Sequence, residues 1–578
     1  MSRKKIYALL VSFVLIGAFA AGGYWLSLPS RLPSVTIGRE LTHDGLVKSN
    51  LASDGSNLYF TEIFGSRSII AKIPAAGGEV APYPLAFPNA QLLDVSSARA
   101  SLLVAEETSG RSAGRPVWIS PANGGNAQRF GNTRAQDAVW APDGHTVLIV
   151  QGSSLLAGPA DGGTLKKLVT VPGSPYYPRY SQDGQRIRFS VGNVALNTST
   201  IWEMRSDGSD LHQILADWHG VTTKCCGSWT ADGRYYLFQA TGTELGSTAN
   251  LWAWAEHSDV LHKTKSEQPV ELTRGAVSFG KPVASADNSK IWSLGLKLRS
   301  AVVSYDMKSK QYVPFLSGIS ATDLDFSPDG QWVAYISVPD GALWRSRQDG
   351  SQSKRLTSNG ARAALPRWSR DSKQIAYVNI ETGKPWTIFL IPAIGGTPRA
   401  LLSENTSEVD INWSLAGDQI IFGRITERKA EGLSIEVYDL KTHTLSFIPG
   451  SEGLFSPRLS PDGHYIAALS ANLTKLMLYD TQTKKWSEWQ TVASGALNYP
   501  AWSEDSKSIY FDDLVSGEGS YCRANVGESH YDRVLELAGL ERYPGVLGLW
   551  SGRAPDGSPL FVKDASTGEV FELEASLP

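Results

Sequence analysis

The sequence reads Phe326-Ser327-Pro328-Asp329-Gly330, and Gln331-Trp332-Val333-Ala334-Tyr335-Ile336 follows it directly. Proline and aspartate favour a tight turn, and glycine accepts the positive φ that closes it. The residues after the glycine are rich in aromatic and β-branched side chains, which favour a strand. This stretch therefore predicts a turn that leads straight into a β-strand.

The same turn recurs along almost the whole chain. Clear copies are centred on Asp143, Asp183, Asp232, Asp329 and Asp462. Weaker copies surround Asp54, Asp287, Asp371, Gly417, Asp505 and Asp556, and a degenerate copy is expected at Ser96–Arg99. The copies are about 45 residues apart, a period typical of four-stranded propeller blades. A second turn in several repeats, such as Asp349-Gly350-Ser351, separates two further strands, so we expect twelve blades.

The number of repeats determines the expected domain organisation. Because a propeller usually holds about four to eight blades, twelve copies predict two rings. We expect an all-β protein with two tandem six-bladed β-propellers of four-stranded antiparallel blades, preceded by one transmembrane helix. The expected bounds are residues 35–316 for the first propeller and 317–578 for the second. A division into seven and five blades, or closure of a ring by a strand from residues 35–41, would move this boundary.

Composition and charge exclude several classes of protein. The chain has 578 residues, of which 42% are hydrophobic, so it is too apolar for a disordered protein and too long for one core. The chain has 54 lysines and arginines and 57 aspartates and glutamates. Because it has no excess of positive charge, a nucleic-acid partner is not expected. Only three cysteines exclude a disulfide-dense scaffold.

The amino terminus predicts a membrane anchor. Residues 1–5 include Arg3, Lys4 and Lys5, and residues 6–26 form an unbroken apolar run that is long enough to cross a bilayer. Basic residues before such a run favour a short cytoplasmic tail, with the rest of the chain outside. We therefore expect a single-pass inner-membrane protein whose propellers lie in the periplasm or outside. A cleaved signal peptide is the alternative, and Ala18-Phe19-Ala20 would then be its cleavage site.

With these turns, the chain resembles the TolB-type, WD40-like bacterial β-propeller family over essentially everything after the apolar run. A narrower group of membrane-anchored, sensor-like proteins is similar to it at Cys225-Cys226-Gly227-Ser228-Trp229, Leu343-Trp344-Arg345-Ser346, residues 453–458 and residues 554–560. Relatives in that group often carry a winged-helix DNA-binding domain before the membrane span. Only five residues precede Ile6 here, so we do not expect the winged-helix domain or its DNA binding in this protein. The resemblance implies an exported propeller that recognises a protein or a ligand.

The sequence offers no catalytic constellation. It lacks a Gly-x-Ser-x-Gly nucleophile elbow, and the repeats extend to Asp556, which leaves no room for a hydrolase domain. Its nine histidines are scattered. We therefore expect no catalytic residue, no metal site and no cofactor. The alternative is a propeller enzyme, a lyase or a glycoside-processing enzyme, that acts on a small substrate in the channel.

Cys225 and Cys226 are adjacent and lie close to Trp229. Adjacent cysteines lack the gap of about two to four residues that a zinc knuckle needs. Packed thiols and a disulfide between neighbours both remain open. In the second case Cys522 would be the free thiol.

In three repeats an arginine lies two residues before the motif serine. These stretches are Pro178-Arg179-Tyr180, Pro366-Arg367-Trp368 and Pro457-Arg458-Leu459. Alternation along a strand sends the two neighbouring side chains to opposite faces. If this strand is the innermost one, Arg179, Arg367 and Arg458 face the channel and are candidates for binding a carboxylate or an acidic peptide. The alternative is an ion pair with an aspartate of the neighbouring blade.

These observations lead to one functional hypothesis. We expect a non-catalytic, membrane-anchored, exported β-propeller that serves as a recognition scaffold for a protein partner or a small ligand. A sensory role, coupled to a separate cytoplasmic DNA-binding protein, rests on the family resemblance alone.

Overall fold

The chain folds into β-strands joined by turns and loops. The computed structural model describes residues 32–64, 67–107, 114–193, 198–242, 248–256, 268–316, 318–358, 362–381, 384–402, 406–425, 432–492, 495–515 and 518–578. No helix in these ranges is long and apolar enough to span a membrane. The predicted span at residues 6–26 lies outside the described residues. The all-β class that the repeats predict is confirmed.

The first half of the described chain supplies strands of two to nine residues. They are β1 (Ser34–Glu40), β2 (Val47–Ser53), β3 (Asn57–Phe64), β4 (Arg67–Pro74), β5 (Ala81–Pro82), β6 (Ala90–Ser96), β7 (Ser101–Glu106), β8 (Arg115–Pro121), β9 (Gln128–Ala135), β10 (Asp137–Trp140), β11 (Thr146–Gln151), β12 (Ser154–Pro159), β13 (Lys166–Thr170), β14 (Ser174–Tyr180), β15 (Arg186–Asn193), β16 (Thr198–Arg205), β17 (His212–Ile214), β18 (Val221–Trp229), β19 (Tyr235–Gly242), β20 (Ala249–Ala255), β21 (Val270–Glu271), β22 (Ser278–Ala284), β23 (Lys290–Lys297), β24 (Ser300–Asp306) and β25 (Gln311–Pro314).

The second half continues the same pattern. Its strands are β26 (Ala321–Phe326), β27 (Val333–Ser337), β28 (Leu343–Ser346), β29 (Lys354–Arg355), β30 (Arg362–Trp368), β31 (Gln374–Ile380), β32 (Thr387–Pro392), β33 (Arg399–Ala400), β34 (Ser407–Trp413), β35 (Gln419–Ile425), β36 (Leu433–Asp439), β37 (Leu445–Phe447), β38 (Leu454–Leu459), β39 (Tyr465–Ser470), β40 (Lys475–Asp480), β41 (Lys485–Thr491), β42 (Leu497–Trp502), β43 (Ser508–Val515), β44 (Glu518–Asn525), β45 (Tyr531–Glu536), β46 (Pro544–Gly545), β47 (Gly548–Leu549), β48 (Ser551–Arg553), β49 (Pro559–Asp564) and β50 (Thr567–Ser576).

Most sheets are four consecutive antiparallel strands, as the repeat predicts. These units are β2–β5, β6–β9, β10–β13, β14–β17, β18–β21, β26–β29, β30–β33, β34–β37, β38–β41 and β42–β45. A single parallel bridge between Ser199 and Thr223 also links β16 to β18. Two further sheets combine strands that are far apart in the sequence, in the orders β22-β23-β50-β1 and β48-β49-β24-β25.

The sheets fall into two groups by the contacts of their first strands. In the amino-terminal group, β2, β6, β10, β14, β18 and β22 contact one another in turn, and β22 contacts β2. In the carboxyl-terminal group, the same succession runs through β26, β30, β34, β38, β42 and β48, and β24 of the last sheet contacts β26. The sheets of each group therefore follow one another in a closed, propeller-like order.

The chain passes between the two groups twice. It leaves the amino-terminal group after β23, and it returns at β50, which lies between β23 and β1. Strand pairing thus places residues 567–576 with the amino-terminal sheets and β24 and β25 with the carboxyl-terminal ones.

The repeated turn is held by its own side chains. Ser327 Oγ donates to Asp329 Oδ1 at 2.5 Å and accepts from the backbone N of Trp332 at 2.9 Å. Gly330 adopts a φ of 69°, which the turn requires, and its N donates to the carbonyl of Ser327 at 2.8 Å. The hydrogen bond from Ser327 lowers the pKa of the Asp329 carboxyl. The motif therefore forms the predicted turn for the reason that the sequence suggests.

We expect the same turn chemistry to be visible in acid titration at Asp287. Hydrogen bonds from Ser285 and Ser289 lower the pKa of this carboxyl to about 2, from an ordinary value of 3.8. Because the folded pKa is lower than the unfolded one, the stability from this turn is present above pH 3.8 and is lost as the pH falls through about 2. Carbon-detected NMR titration measures the pKa directly. The variant Ser285→Ala should move it back toward 3.8, and an unchanged value would contradict this account.

Candidate functional site

The first strands of the carboxyl-terminal group surround a cavity of about 310 Å³, which we call the carboxyl-terminal cavity. Pro328 and Pro461 line it, so it opens on the side of the Ser-Pro-Asp-Gly turns. Its wall also contains charged side chains, including Asp325, Arg367 and Arg458. A concave site with a few converging polar groups is the usual form of a ligand pocket.

A repeated bulge shapes this cavity. Three residues before the final residue of each strand, the backbone turns left-handed at Asp323, Leu365, Asp410, Ser456 and Tyr499, with φ between 45° and 56°. The pairing register shifts beside each of them. A bulge changes the direction of the side chains around it. On β34 the bulge places Asp410 beside Arg458, and on β42 it places Tyr499 at the cavity wall.

Arg367 is a cation whose guanidinium is open to the cavity. Its Nη1 donates to the carbonyl of Pro366 at 2.8 Å, and no other hydrogen bond or ion pair of this guanidinium involves a residue within the described ranges. The indole Nε1 of Trp413 donates to the carbonyl of Arg367 at 3.1 Å, which fixes its backbone from the next sheet. Arg367 is therefore well placed, with donors left for a ligand.

Arg458 is committed to the protein itself. Its Nη2 donates to Asp410 Oδ1 of the neighbouring sheet at 2.8 Å, and its Nε and Nη1 donate to the carbonyls of Pro500 and Pro457. The residue is only 7% exposed. The ion pair with an aspartate of the neighbouring blade, the alternative that the sequence left open, is thus the arrangement found at Arg458.

Two carboxyl groups on β26 lie near Arg367. Burial raises the pKa of both Asp323 and Asp325, and the charge of Arg367 opposes this rise. Asp325 Oδ2 accepts the backbone N–H of Trp368 at 2.7 Å, and Asp323 Oδ2 accepts that of Leu365 at 3.3 Å. The site therefore combines a guanidinium donor with acceptor groups that take up a proton more readily than exposed carboxylates.

A short hairpin covers the opposite end of the same strands. β46 and β47 form it, and Gly545 lies beside Thr322 at the start of β26. Val546 and Leu547 pack against the core formed by Leu365 and its neighbours. Tyr499 lines the cavity, and its hydroxyl is buried and has no hydrogen-bond partner within the described residues.

Arg179 lies in the other group of sheets. It lines a second cavity of about 370 Å³, the amino-terminal cavity, together with Tyr177 and Ser228. Its guanidinium lies 3.9 Å from the centre of the Tyr177 ring, and its Nη1 donates to the carbonyl of Pro178 at 2.7 Å. The sequence places Arg179 and Arg367 in equivalent positions, and the structure brings them to two separate cavities.

Cys225 and Cys226 are joined by a disulfide, so of the two arrangements that the sequence left open the structure has the bonded one. Both are 7% exposed and pack against Tyr177. Cys522 is a buried free thiol on β44. Within the described part of the chain, no group of three or more potential ligands could hold a metal ion.

Sequence reasoning missed the acidic and aromatic part of the carboxyl-terminal cavity. Asp325 and Tyr499 line it, and Asp323 lies close enough for the charge of Arg367 to act on it, but only Arg367 and Arg458 stood out in the repeat. Asp325 occupies the same position of its repeat as Arg367, two residues before the motif serine, and this is the signal that would have found it. Asp323 and Tyr499 lie at the bulge position, three residues before the end of their strands.

Comparison with known proteins agrees with this architecture. Residues 265–506 match the family model described as the TolB beta propeller domain. This segment supports the resemblance to the TolB-type β-propeller family that the repeated turns indicate. No curated protein matches the chain.

Solved structures similar to this chain include a putative TolB from Agrobacterium tumefaciens, which is 17% identical and has a TM-score of 0.38. That match covers 46% of this chain and 98% of the other. TolB from Acinetobacter baumannii is 19% identical over 50% of this chain and 79% of its own, with a TM-score of 0.33. The GH74 enzyme from Niastella koreensis is 11% identical and has a TM-score of 0.35. That match covers 92% of this chain and 91% of the other.

Proposed function

We propose that this TolB-type protein is a non-catalytic recognition scaffold, exported and held at the inner membrane by residues 6–26, that binds a carboxylate group of a protein partner or small ligand in its carboxyl-terminal cavity. The observation that carries the proposal is Arg367, whose backbone is held by Trp413 of the next sheet and whose guanidinium is open to the cavity.

The scaffold consists of two six-bladed propellers. The cyclic contacts of the first strands support this count, as do the two sheets that combine strands distant in sequence. Strand pairing supports one ring of residues 34–297 with 567–576 and a second ring of residues 300–564. This division differs from the one expected between residues 316 and 317, because strands at the ends of each segment close the rings.

Two observations support export. The apolar run at residues 6–26 follows three basic residues, which favours an anchor with its carboxyl-terminal side outside the cytoplasm. The disulfide between Cys225 and Cys226 persists more readily in an oxidising compartment than in the cytosol.

Replacing Arg367 with alanine should weaken ligand capture about tenfold to a hundredfold, because a hydrogen bond to a charged group contributes about 1.5–3 kcal/mol. A photo-reactive amino acid in place of Arg370, an exposed residue at the cavity wall, would trap the partner on the membranes where it occurs. Mass spectrometry of the cross-linked product then measures the yield with and without Arg367→Ala.

The matched control is Arg399→Ala. Arg399 is exposed on β33, at the outer edge of the sheet whose first strand carries Arg367. We expect it to leave the yield unchanged, and circular dichroism checks that both variants are folded. Equal capture by wild type and Arg367→Ala would refute the proposed site.

The second candidate is a propeller enzyme, a lyase or glycoside-processing enzyme, that acts in the same cavity. Burial raises the pKa of Asp325, which favours a group able to donate a proton. The cross-linking experiment separates the two functions: a trapped protein supports the scaffold, whereas a bound sugar that is converted to product supports the enzyme.

A further inference from the structure

The disulfide between Cys225 and Cys226 lies on β18, a first strand of the amino-terminal group. Cys226 has a φ of 60° and occupies the bulge position of its strand, where the pairing register shifts between Cys225 and Ser228. Its backbone N donates to Ser190 Oγ of the preceding sheet at 3.3 Å. The bond therefore sits where the other first strands re-aim their side chains.

Stabilisation of the fold does not explain a disulfide at this position. A disulfide stabilises a protein mainly by restricting the unfolded chain, and the effect grows with the length of the loop that it closes. Cys225 and Cys226 are neighbours in sequence, so the loop is the shortest possible. The bond constrains local structure instead.

That local structure is the wall of the amino-terminal cavity. Both cysteines pack against Tyr177, and the ring of Tyr177 lies 3.9 Å from the Arg179 guanidinium. Tyr177 and Arg179 line the cavity, as does Ser228 on the same strand as the cysteines. A change at the disulfide thus reaches the cavity through one intervening side chain.

The neighbouring backbone leaves little room to absorb such a change elsewhere. A side chain at Gly227 would lie 2.5 Å from both the carbonyl O of Leu237 and the ring of Tyr236. Two thiol sulfurs must separate to van der Waals distance, roughly 3.5 Å, which is further than a covalent bond allows. Since protein interiors are close-packed, the separation has to move Tyr177.

We propose that Cys225–Cys226 is a reversible thiol–disulfide modification site that sets the shape of the amino-terminal cavity. In the modification, a dithiol transfers two electrons and two protons to the disulfide. The S–S bond breaks, two Cys thiols form, and the dithiol becomes a cyclic disulfide. Cys522 takes no part, because it is fully buried in the other group of sheets and burial raises its pKa to about 12.

The test uses the full chain with dithiothreitol as the dithiol. Iodoacetamide should label Cys225 and Cys226 only after reduction, and peptide mass spectrometry locates the label. Hydrogen exchange of β14, residues 174–180, should become at least about tenfold faster on reduction and slow again on reoxidation. Exchange of β38, the strand that carries Arg458, should not change.

Two variants sharpen the result. Replacing both Cys225 and Cys226 with serine should give fast exchange of β14 without any dithiothreitol, and Cys522→Ser should behave like the wild type. If the double variant fails to fold, the reduced and reoxidised wild-type protein still decides the matter. Labelling before reduction, or reduction with unchanged exchange of β14, would overturn the proposal.

Discussion

Deletion of residues 567–578 should unfold the amino-terminal group of sheets and leave the carboxyl-terminal group intact. The deletion removes β50, which lies between β23 and β1 in a sheet of the amino-terminal group. Val570 and Leu573 on this strand are fully buried, and Phe571 is 5% exposed. Each such side chain contributes about 1.5–3 kcal/mol, and β1 loses its pairing partner as well. The total is comparable with the stability of a whole domain, about 5–15 kcal/mol.

Limited proteolysis followed by mass spectrometry reads out the two groups separately. We expect cleavage within residues 34–297 and protection of residues 300–564, although the deletion is at the other end of the chain. Protection of residues 34–297 in the deletion variant would show that β50 does not belong to the amino-terminal group.

A pair of point substitutions makes the same test without deleting any chain. Leu573 on β50 and Leu560 on β49 are both fully buried. Leu573→Ala should destabilise the amino-terminal group by about 2–5 kcal/mol, and Leu560→Ala should do the same to the carboxyl-terminal group. Two residues that are close in sequence would thus act on different halves of the molecule.

The turns of this fold follow from the sequence, but the pairing of strands that are far apart in the chain does not. Turn chemistry is contained within a few residues, as the Ser327 and Asp329 hydrogen bonds show, so a short motif is enough to predict it. One partner of β50 is β1, more than 500 residues earlier in the chain, and no local pattern encodes that pairing.

The residues of the candidate site also differ in how far the sequence could predict them. The Pro-Arg pattern singled out Arg367, which lines the carboxyl-terminal cavity, because alternation along a strand is a local property that the sequence shows. The ion pair of Arg458 depends on Asp410, whose side chain is aimed by a left-handed bulge. Residues other than glycine rarely adopt that conformation, so Asp410 and Tyr499 carried no visible sign of it.

Arg188→Met should cost about 3–5 kcal/mol of stability, the usual effect of removing one partner from a buried ion pair. Arg188 is 2% exposed, and its guanidinium pairs with Glu203 at 2.6 Å and also with Glu256, whose side chain is 2% exposed. The same group lies 4.6 Å from the ring centre of Tyr236 and 4.8 Å from that of Trp229. Methionine fills much of this space but leaves the two carboxylates without their main counter-charge.

Urea unfolding followed by tryptophan fluorescence measures the loss, because the chain has 18 tryptophans and one of them, Trp229, lies beside Arg188. The variant that combines Arg188→Met with Glu203→Gln and Glu256→Gln tests the cause. Once the negative charges are gone, the desolvation penalty of unpaired carboxylates disappears, so the triple variant should regain most of the lost stability. A single variant that loses less than about 1 kcal/mol would mean that Arg186, whose Nη1 lies 2.8 Å from Glu256, compensates for the missing charge. In that case Arg188 would stabilise this sheet through its aromatic contacts rather than through its ion pairs.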